Sequence, residues 1–295
     1  MKHKVAAVLA AAALTLTACS GPAAEEGNDR SYDVSGVAQV DALAAKVPAD
    51  VRAKGKLIVA TSADYAPAEF LADDVKTPIG YDIDLVKAIG RVLGLEVEVT
   101  NAQFASILPA IGSKYDLGIS AFTIDADRLV STNMVSYIVA GSSFAVQKGN
   151  PKKFDPDHVC GTKLGVLKGT VQNDEATELA SACAKSGSPL EVLVYDNQAD
   201  VTTNLVGGKV DAMYADSPVT GYAVKLTADA IEEVGGVRAS APQGIVIGKD
   251  DPELAALVQQ ATQHLMDDGT WGSIAASWGV QDAVLTTAEL NPVVK

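Results

Sequence analysis

One order of elements occurs twice in this chain of 295 residues, and it limits the fold more than any other feature. Lys56-Leu57-Ile58-Val59-Ala60-Thr61 has the apolar, β-branched composition of a short buried strand. Residues 82–93 place Ile83, Val86, Ile89 and Leu93 at helical spacing, and Gly94 stops them. Val97-Glu98-Val99-Thr100 alternates as a strand; Phe104, Ile107, Leu108 and Ile111 share a helical face; Leu117-Gly118-Ile119-Ser120 is a third strand. The same sequence of elements then returns: strand Lys163–Leu167, helix 171–184, strand Leu190–Tyr195, helix 199–206 and strand Val210–Tyr214. A strand–helix–strand–helix–strand run demands a mostly parallel sheet with helices on its faces. Two such runs predict two α/β lobes in tandem, each with a mixed, mostly parallel sheet.

Neither run carries enough helix to cover its own sheet, so the tail must contribute. Leu254, Leu257, Val258, Ala261 and Leu265 form one apolar helical stripe, and Trp271, Ile274, Ala275 and Trp278 form a second. Ser142–Val146 and Gly244–Gly248 are the strands expected to cross from the first lobe to the second and back. The expected layout is therefore 41–141 with 247–295 for lobe one and 142–246 for lobe two. Two crossing strands make a hinge, and a hinge between lobes makes a cleft.

The first residues do not belong to this plan. Met1-Lys2-His3-Lys4 is basic, Val5 to Leu16 is apolar, and Leu16-Thr17-Ala18-Cys19 ends in small residues before a cysteine. That three-part order is a secretory signal, too short to span a bilayer core of about 30 Å. The Leu-Thr-Ala-Cys step resembles the lipobox of bacterial lipoproteins, so residues 1–18 are expected to be removed and Cys19 to be lipidated. Small, polar residues up to about 40 read as a tether. The reading is an exported body, anchored by lipid to the outer face of the cytoplasmic membrane. In an oxidising compartment the two remaining cysteines, Cys160 and Cys183, are expected to pair.

Composition excludes whole classes of function. The chain holds 23 Lys and Arg against 37 Asp and Glu, a net charge of −14. Loss of residues 1–18 removes Lys2 and Lys4 and no acid, leaving −16. Nucleic-acid binding needs clustered cations, which a chain this acidic lacks. Three cysteines and three histidines argue against metal clusters, and no cofactor is expected.

Ligands of open α/β sheets sit beyond the carboxyl ends of the strands. Those positions hold Ser62 and Tyr65 after the first strand, Ser120, Ala121 and Thr123 after the third, and then Arg128. In the second run they hold Lys168, Gly169, Thr170 and Val171, then Asp216. Arg128 offers a planar fork to a carboxylate, and Thr170-Val171 opens a helix whose free N–H groups favour an anion. Asp216 can pair with an ammonium group, while Tyr65 and Phe104 supply apolar walls. Singly, each residue has a structural explanation: a cap, a surface ion pair, an Asx turn, a core aromatic. Their conjunction at strand ends in both lobes points to a zwitterion.

These segments resemble the amino-acid-binding group of bacterial extracellular solute-binding proteins, family 3, which feed ABC transporters. Gly80-Tyr81-Asp82-Ile83-Asp84-Leu85 resembles the family's G-[FY]-D-x-D-L entry to the first helix. Phe104 to Asp116 resembles its aromatic, small-residue and K-[YF]-D segment, and Ser120 to Arg128 the turn that ends in its carboxylate-binding arginine; Val166-Leu167-Lys168-Gly169-Thr170-Val171-Gln172 resembles its G-[ST]-x-x backbone site, and Asp268-Gly269-Thr270-Trp271 its D-G-T-[YW] helix end. The resemblance implies a two-lobed periplasmic-binding-protein fold of type II, monomeric, without catalysis, that delivers a free L-amino acid to ABC permease subunits. It implies that Arg128, Thr123 and the Val171 N–H hold the carboxylate, that Asp216 and the Ala121 carbonyl hold the ammonium, and that Tyr65 and Phe104 flank the side chain. Ser62 stands where some binders of basic amino acids carry Asp, which argues against Arg, Lys or His as the ligand, and Lys168 stands at the cleft edge. With the Ala-Glu-Phe step at 68–70, these imply a ligand of the glutamate, glutamine and aspartate class. Two other readings stay open: a dehydratase on the same fold, with Glu69 or Asp64 as general acid, and an amino-acid sensor.

Overall fold

The computed structural model describes residues 31–294. The proposed signal segment, Cys19 and most of the tether lie outside them. Eight strands form one hydrogen-bonded ladder: β1 (Lys56–Thr61), β5 (Glu96–Asn101), β6 (Leu117–Gly118), β7 (Thr132–Gln147), β8 (Lys163–Leu167), β9 (Glu191–Tyr195), β10 (Ala212–Asp216) and β11 (Ile231–Gly248). Their spatial order is β5-β1-β6-β11-β7-β10-β8-β9. A small antiparallel sheet of β2 (Asp64–Tyr65), β3 (Glu69–Leu71) and β4 (Pro78–Ile79) lies after β1.

The ladder contains both expected lobe sheets. β5, β1 and β6 are parallel and so are β10, β8 and β9, each trio being one of the two strand–helix runs. β11 closes the first trio and β7 the second, both antiparallel. The hinge strands are far longer than the expected five-residue crossings: β7 has 16 residues and β11 has 18. They pair with each other along most of that length and bridge the lobes without a break. Register shifts at Val234/Arg238, Arg238/Ala241 and Gln243/Gly244 interrupt the pairing. Such irregularities bend a strand and raise its twist, which lets one pair of strands serve two sheets of different orientation.

Period-two alternation sorts the second lobe's core. Phe144, Val146, Ala212 and Tyr214 face the helix Val171–Ser186. Their neighbours Ala145 and Met213 face the other way, with Val201 and Leu205 of the helix Gln198–Val206 and Ala223 of the helix Ser217–Leu226. In the first lobe the tail performs the expected covering role. The helices Pro252–Asp267 and Thr270–Trp278 pack on the helix Tyr81–Leu93, and the fully buried Trp271 donates its indole N–H to the Tyr137 carbonyl at 2.9 Å.

Several elements differ from the sequence reading. The helix expected over 104–112 is a single turn, Phe104–Ile107, followed by a 3-10 turn holding Pro109. The helices Ala126–Ser131 and Ser217–Leu226 have no counterpart among the elements expected from the sequence. Residues 31–40, expected as the end of the tether, pack on the first lobe. Tyr32, Val34, Val37 and Val40 lie against its core, the Tyr32 N–H donates to the buried Asp84 at 2.8 Å, and Arg91 donates to the Ser35 carbonyl. Among the described residues no helix is long and apolar enough to cross a membrane.

Cys160 and Cys183 form the expected disulfide, 23 residues apart. It ties the loop before β8 to the buried face of the helix Val171–Ser186. Closing a loop of that length is worth about 3 kcal/mol in the chain-entropy picture. A Cys160→Ser/Cys183→Ser variant is therefore expected to lose about that much in chemical denaturation. Its ligand affinity should stay within a factor of two to three, because the bridge sits at the far end of the helix whose first turn faces the cleft.

Candidate functional site

The carboxyl ends of β1, β6, β8 and β10 converge between the lobes. Ser62, Tyr65, Phe104, Ala121, Thr123, Arg128, Leu167, Thr170, Val171, Gln172 and Asp216 enclose one pocket. The free space left inside it is about 10 Å³, room for about one water, so its walls stand nearly in contact. Nine of the eleven residues expected from the sequence thus meet at one place. Ser120 is buried just behind the wall, and Lys168 lies outside it.

Arg128 is set by its own helix. Asp125 occupies the N-cap of Ala126–Ser131, where its carboxylate accepts the Arg128 N–H at 2.8 Å and pairs with Nε at 3.3 Å. The guanidinium donates to the Thr123 carbonyl at 2.7 Å, and across the cleft to the Gly169 carbonyl at 3.1 Å. It lies over Phe104 and Phe122, which stack on each other at 4.7 Å. Only 8% of Arg128 is exposed. An arginine so buried, held by rings and backbone, is pre-aimed for a planar anion.

Opposite it, Thr170 caps the helix Val171–Ser186 by accepting the Asn173 N–H. The cap leaves the N–H groups of the first turn pointing out of the helix end. Gly169 has φ +79°, and a Cβ there would stand 3.1 Å from the Ala105 Cβ of the other lobe. The position needs glycine both for its backbone conformation and for the close approach of the lobes.

Asp216 precedes the helix Ser217–Leu226 but does not cap it. Its carboxylate instead accepts from Gln172 Nε2 and Gln243 Nε2, each at 2.7 Å. Burial pushes its pKa up to about 6 against these bonds and Arg128, which pull it down. The Tyr65 hydroxyl accepts the Asp216 N–H at 3.1 Å, and Asp64 accepts the Gln198 N–H at 2.6 Å. Together with Arg128–Gly169, these direct bonds between the lobes define a closed cleft.

Gln172 and Gln243 went unassigned in the sequence. Gln172 follows Val171 in the quoted motif, and the signal was its place in the first helical turn. Gln243 carried none, because the strand that bears it had been expected to start at Gly244. Lys168 pairs with Asp196 at 3.4 Å with 59% of its side chain exposed. Glu69 is fully buried against Ser120 and does not line the pocket, so it has no line to a substrate as a general acid. Among the described residues no cluster of three His, Cys, Asp or Glu could hold a metal ion.

Comparison with known proteins follows the same geometry. The chain is 30% identical over 294 residues to an arginine-binding protein, ArgT, of Corynebacterium glutamicum, covering 98% of this chain and 96% of that one. It is 25% identical to the L-cystine-binding protein TcyJ of Escherichia coli K12, covering 85% and 95%. Among solved structures, an ancestral arginine-binding protein bound to glutamine superposes with a TM-score of 0.70 at 30% identity, covering 77% of this chain and 98% of that one. The curated relatives are binding proteins rather than enzymes. A model of the bacterial extracellular solute-binding proteins, family 3, matches residues 57–281, and the chain belongs to that family: it is an amino-acid-binding component of an ABC transport system.

Proposed function

We propose that the cleft captures one L-amino acid with an uncharged polar or basic side chain, glutamine and arginine being the types, and presents it in closed form to the membrane permease. Arg128, the Thr123 side chain and the Val171 N–H take the carboxylate. Asp216 and the Ala121 carbonyl take the ammonium, and Tyr65 and Phe104 flank the side chain. The observation that carries this reading is the placement of Arg128 on one lobe and Asp216 on the other, both buried and facing one pocket. A zwitterion satisfies both charges only when the lobes close, so ligand binding and closure are one equilibrium.

The side-chain class rests on charge. Of the glutamate, glutamine and aspartate class expected from the sequence, only glutamine suits these walls. Arg128 is the one cation among the lining residues, and it faces the α-carboxylate. Lys168, the expected partner for a side-chain carboxylate, is engaged outside with Asp196. A buried anion without a partner costs several kcal/mol. Asp216, the one anion of the lining, biases the site the other way. The names of the relatives support the same direction. Export and lipid anchoring through Cys19 complete the proposal, keeping the body beside its permease.

A thermal-shift panel of the twenty amino acids tests it. A ligand at 100 times its Kd adds about 2.7 kcal/mol. Glutamine or a basic amino acid should give the largest shift. Glutamate or aspartate at the top overturns the side-chain assignment, and no shift with any of them overturns the site.

A further inference from the structure

Behind the wall of the pocket lie two carboxyl groups that the binding reading does not use. Glu69, on β3, and Asp82, in the first turn of the helix Tyr81–Leu93, are both 0% exposed. The Asp82 N–H donates to the Ala68 carbonyl at 3.0 Å, which seats Asp82 against the strand that carries Glu69, and each carboxyl acts on the ionisation of the other. Glu69 Oε1 accepts from the Ser120 hydroxyl at 2.7 Å, and Asp82 Oδ2 accepts from the Ala121 N–H at 2.9 Å. The remaining oxygens, Glu69 Oε2 and Asp82 Oδ1, meet no protein donor within hydrogen-bond distance. Two neighbouring carboxyl groups removed from water, each with an oxygen that meets no donor, are more stable with a proton held on one of them, where it supplies the missing donor.

The groups facing the pair carry no positive charge to replace that proton. They are Asp64 from β2, Tyr137 from β7 and Asp216 from β10, with the Tyr65 and Tyr81 hydroxyls nearby. Burial pushes both carboxyls upward in pKa, Glu69 the further because Asp82 repels its charge. The backbone has been built around the contact. Gly80 sits with φ +132° directly on the strand carrying Glu69, where a Cβ would stand 2.1 Å from the Ala68 carbonyl oxygen.

What the pair holds is the pocket itself. Ser120 Oγ, oriented by Glu69, accepts the Ser62 N–H at 3.0 Å. Ala121, gripped by Asp82, has φ +49°, a left-handed conformation that a non-glycine residue adopts only when held there. Ser62 and Ala121 both line the pocket. We propose that Glu69 and Asp82 share one proton and act as paired positioning residues, which set the Ser62 backbone and aim the Ala121 carbonyl at the ligand's ammonium group. The role toward the ligand rests on the binding reading above; the shared proton does not.

Glu69→Gln separates the two. Its amide carries a fixed N–H to Asp82 and keeps an oxygen for Ser120, so it reproduces the protonated state permanently. Calorimetric unfolding at pH 7 in buffers of different ionisation enthalpy counts the protons released. The parent should release about one more than Glu69→Gln, because unfolding returns Glu69 to its ordinary acidity. Equal counts overturn the shared proton. By titration calorimetry with glutamine and arginine, Glu69→Gln should bind within threefold of the parent at pH 7, and Glu69→Ala at least tenfold more weakly. Loss of more than tenfold in Glu69→Gln, or none in a folded Glu69→Ala, overturns the positioning role. If the parent itself binds neither amino acid, the binding reading falls while the proton count still decides the pair.

Discussion

Arg128→Ala is expected to weaken amino-acid binding by about 2–5 kcal/mol, roughly 30- to 5,000-fold, with the largest loss in the dissociation rate. The size follows from burial. Truncating one partner of a desolvated charge pair leaves the other charge unpaired, here the ligand carboxylate between Thr123 and the first turn of Val171–Ser186. Arg128→Lys refines the test. Lysine keeps the charge but lacks the fork that also reaches Thr123 and Gly169, so it should recover only part of the affinity. Titration calorimetry against the best ligand of the panel measures both variants, and circular dichroism confirms the fold. Unchanged affinity in both would remove Arg128 from the site.

Asp216→Asn is expected to trade affinity for stability. Ligand binding should fall by a similar 2–5 kcal/mol, since the ammonium loses its counter-charge. Without ligand the variant should be more stable than the parent near neutral pH. The native pKa of Asp216 is raised from an ordinary 3.8 to about 6. Between those values the folded protein binds more protons than the unfolded chain, so stability falls as pH rises through that window and stays low above it. The penalty is about 3 kcal/mol at most, and asparagine does not carry it. Gln243 can turn its partnerless Oε1 toward the new amide. The parent's affinity should also fall as pH drops below about 6, where Asp216 loses its charge, and Asp216→Asn should lack that limb. Denaturant melts at pH 4.5 and pH 7.5 check the first statement, and calorimetry at the same two values checks the second. A variant less stable than the parent at pH 7.5, with its affinity intact, would exclude Asp216 as the ammonium partner.

This trade has a physical origin. A buried carboxylate whose two amide donors do not offset its desolvation is a group waiting for a cation, and it is costly until one arrives. The opposite lobe presents Arg128, buried and held by backbone carbonyls, with Asp125 engaging only its Nε side. Closure over a zwitterion satisfies both, which is why binding energy can drive the hinge.

Much of this was legible along the chain. Strand–helix alternation, repeated, dictates two lobes with parallel sheets, because crossover connections leave no other compact arrangement. Strand ends then identify the rim of the cleft, and residues such as Tyr65, Thr123 and Thr170 follow from counting past each strand. The cysteines paired as their compartment suggested. Illegible were the features that depend on distant parts of the chain. β7 and β11 run to 16 and 18 residues because each pairs with the other as well as with its lobe, and no local pattern announces such a partner. Tyr32 and Val34 looked like tether because their apolar face is completed only by the helix Tyr81–Leu93.

The sequence by itself determined the repeated α/β plan, the acidic surface, the cysteine pair and most of the residues that meet in the cleft. It did so because each is written in local period, composition or position after a strand. Only the tertiary structure decided that Lys168 faces outward to Asp196, that Gln172 and Gln243 clamp Asp216, and that Glu69 is locked against Asp82 behind the pocket. Those outcomes join residues 28, 27 and 13 positions apart or more, and charge state, orientation and access at such distances are settled by packing rather than by the order of residues.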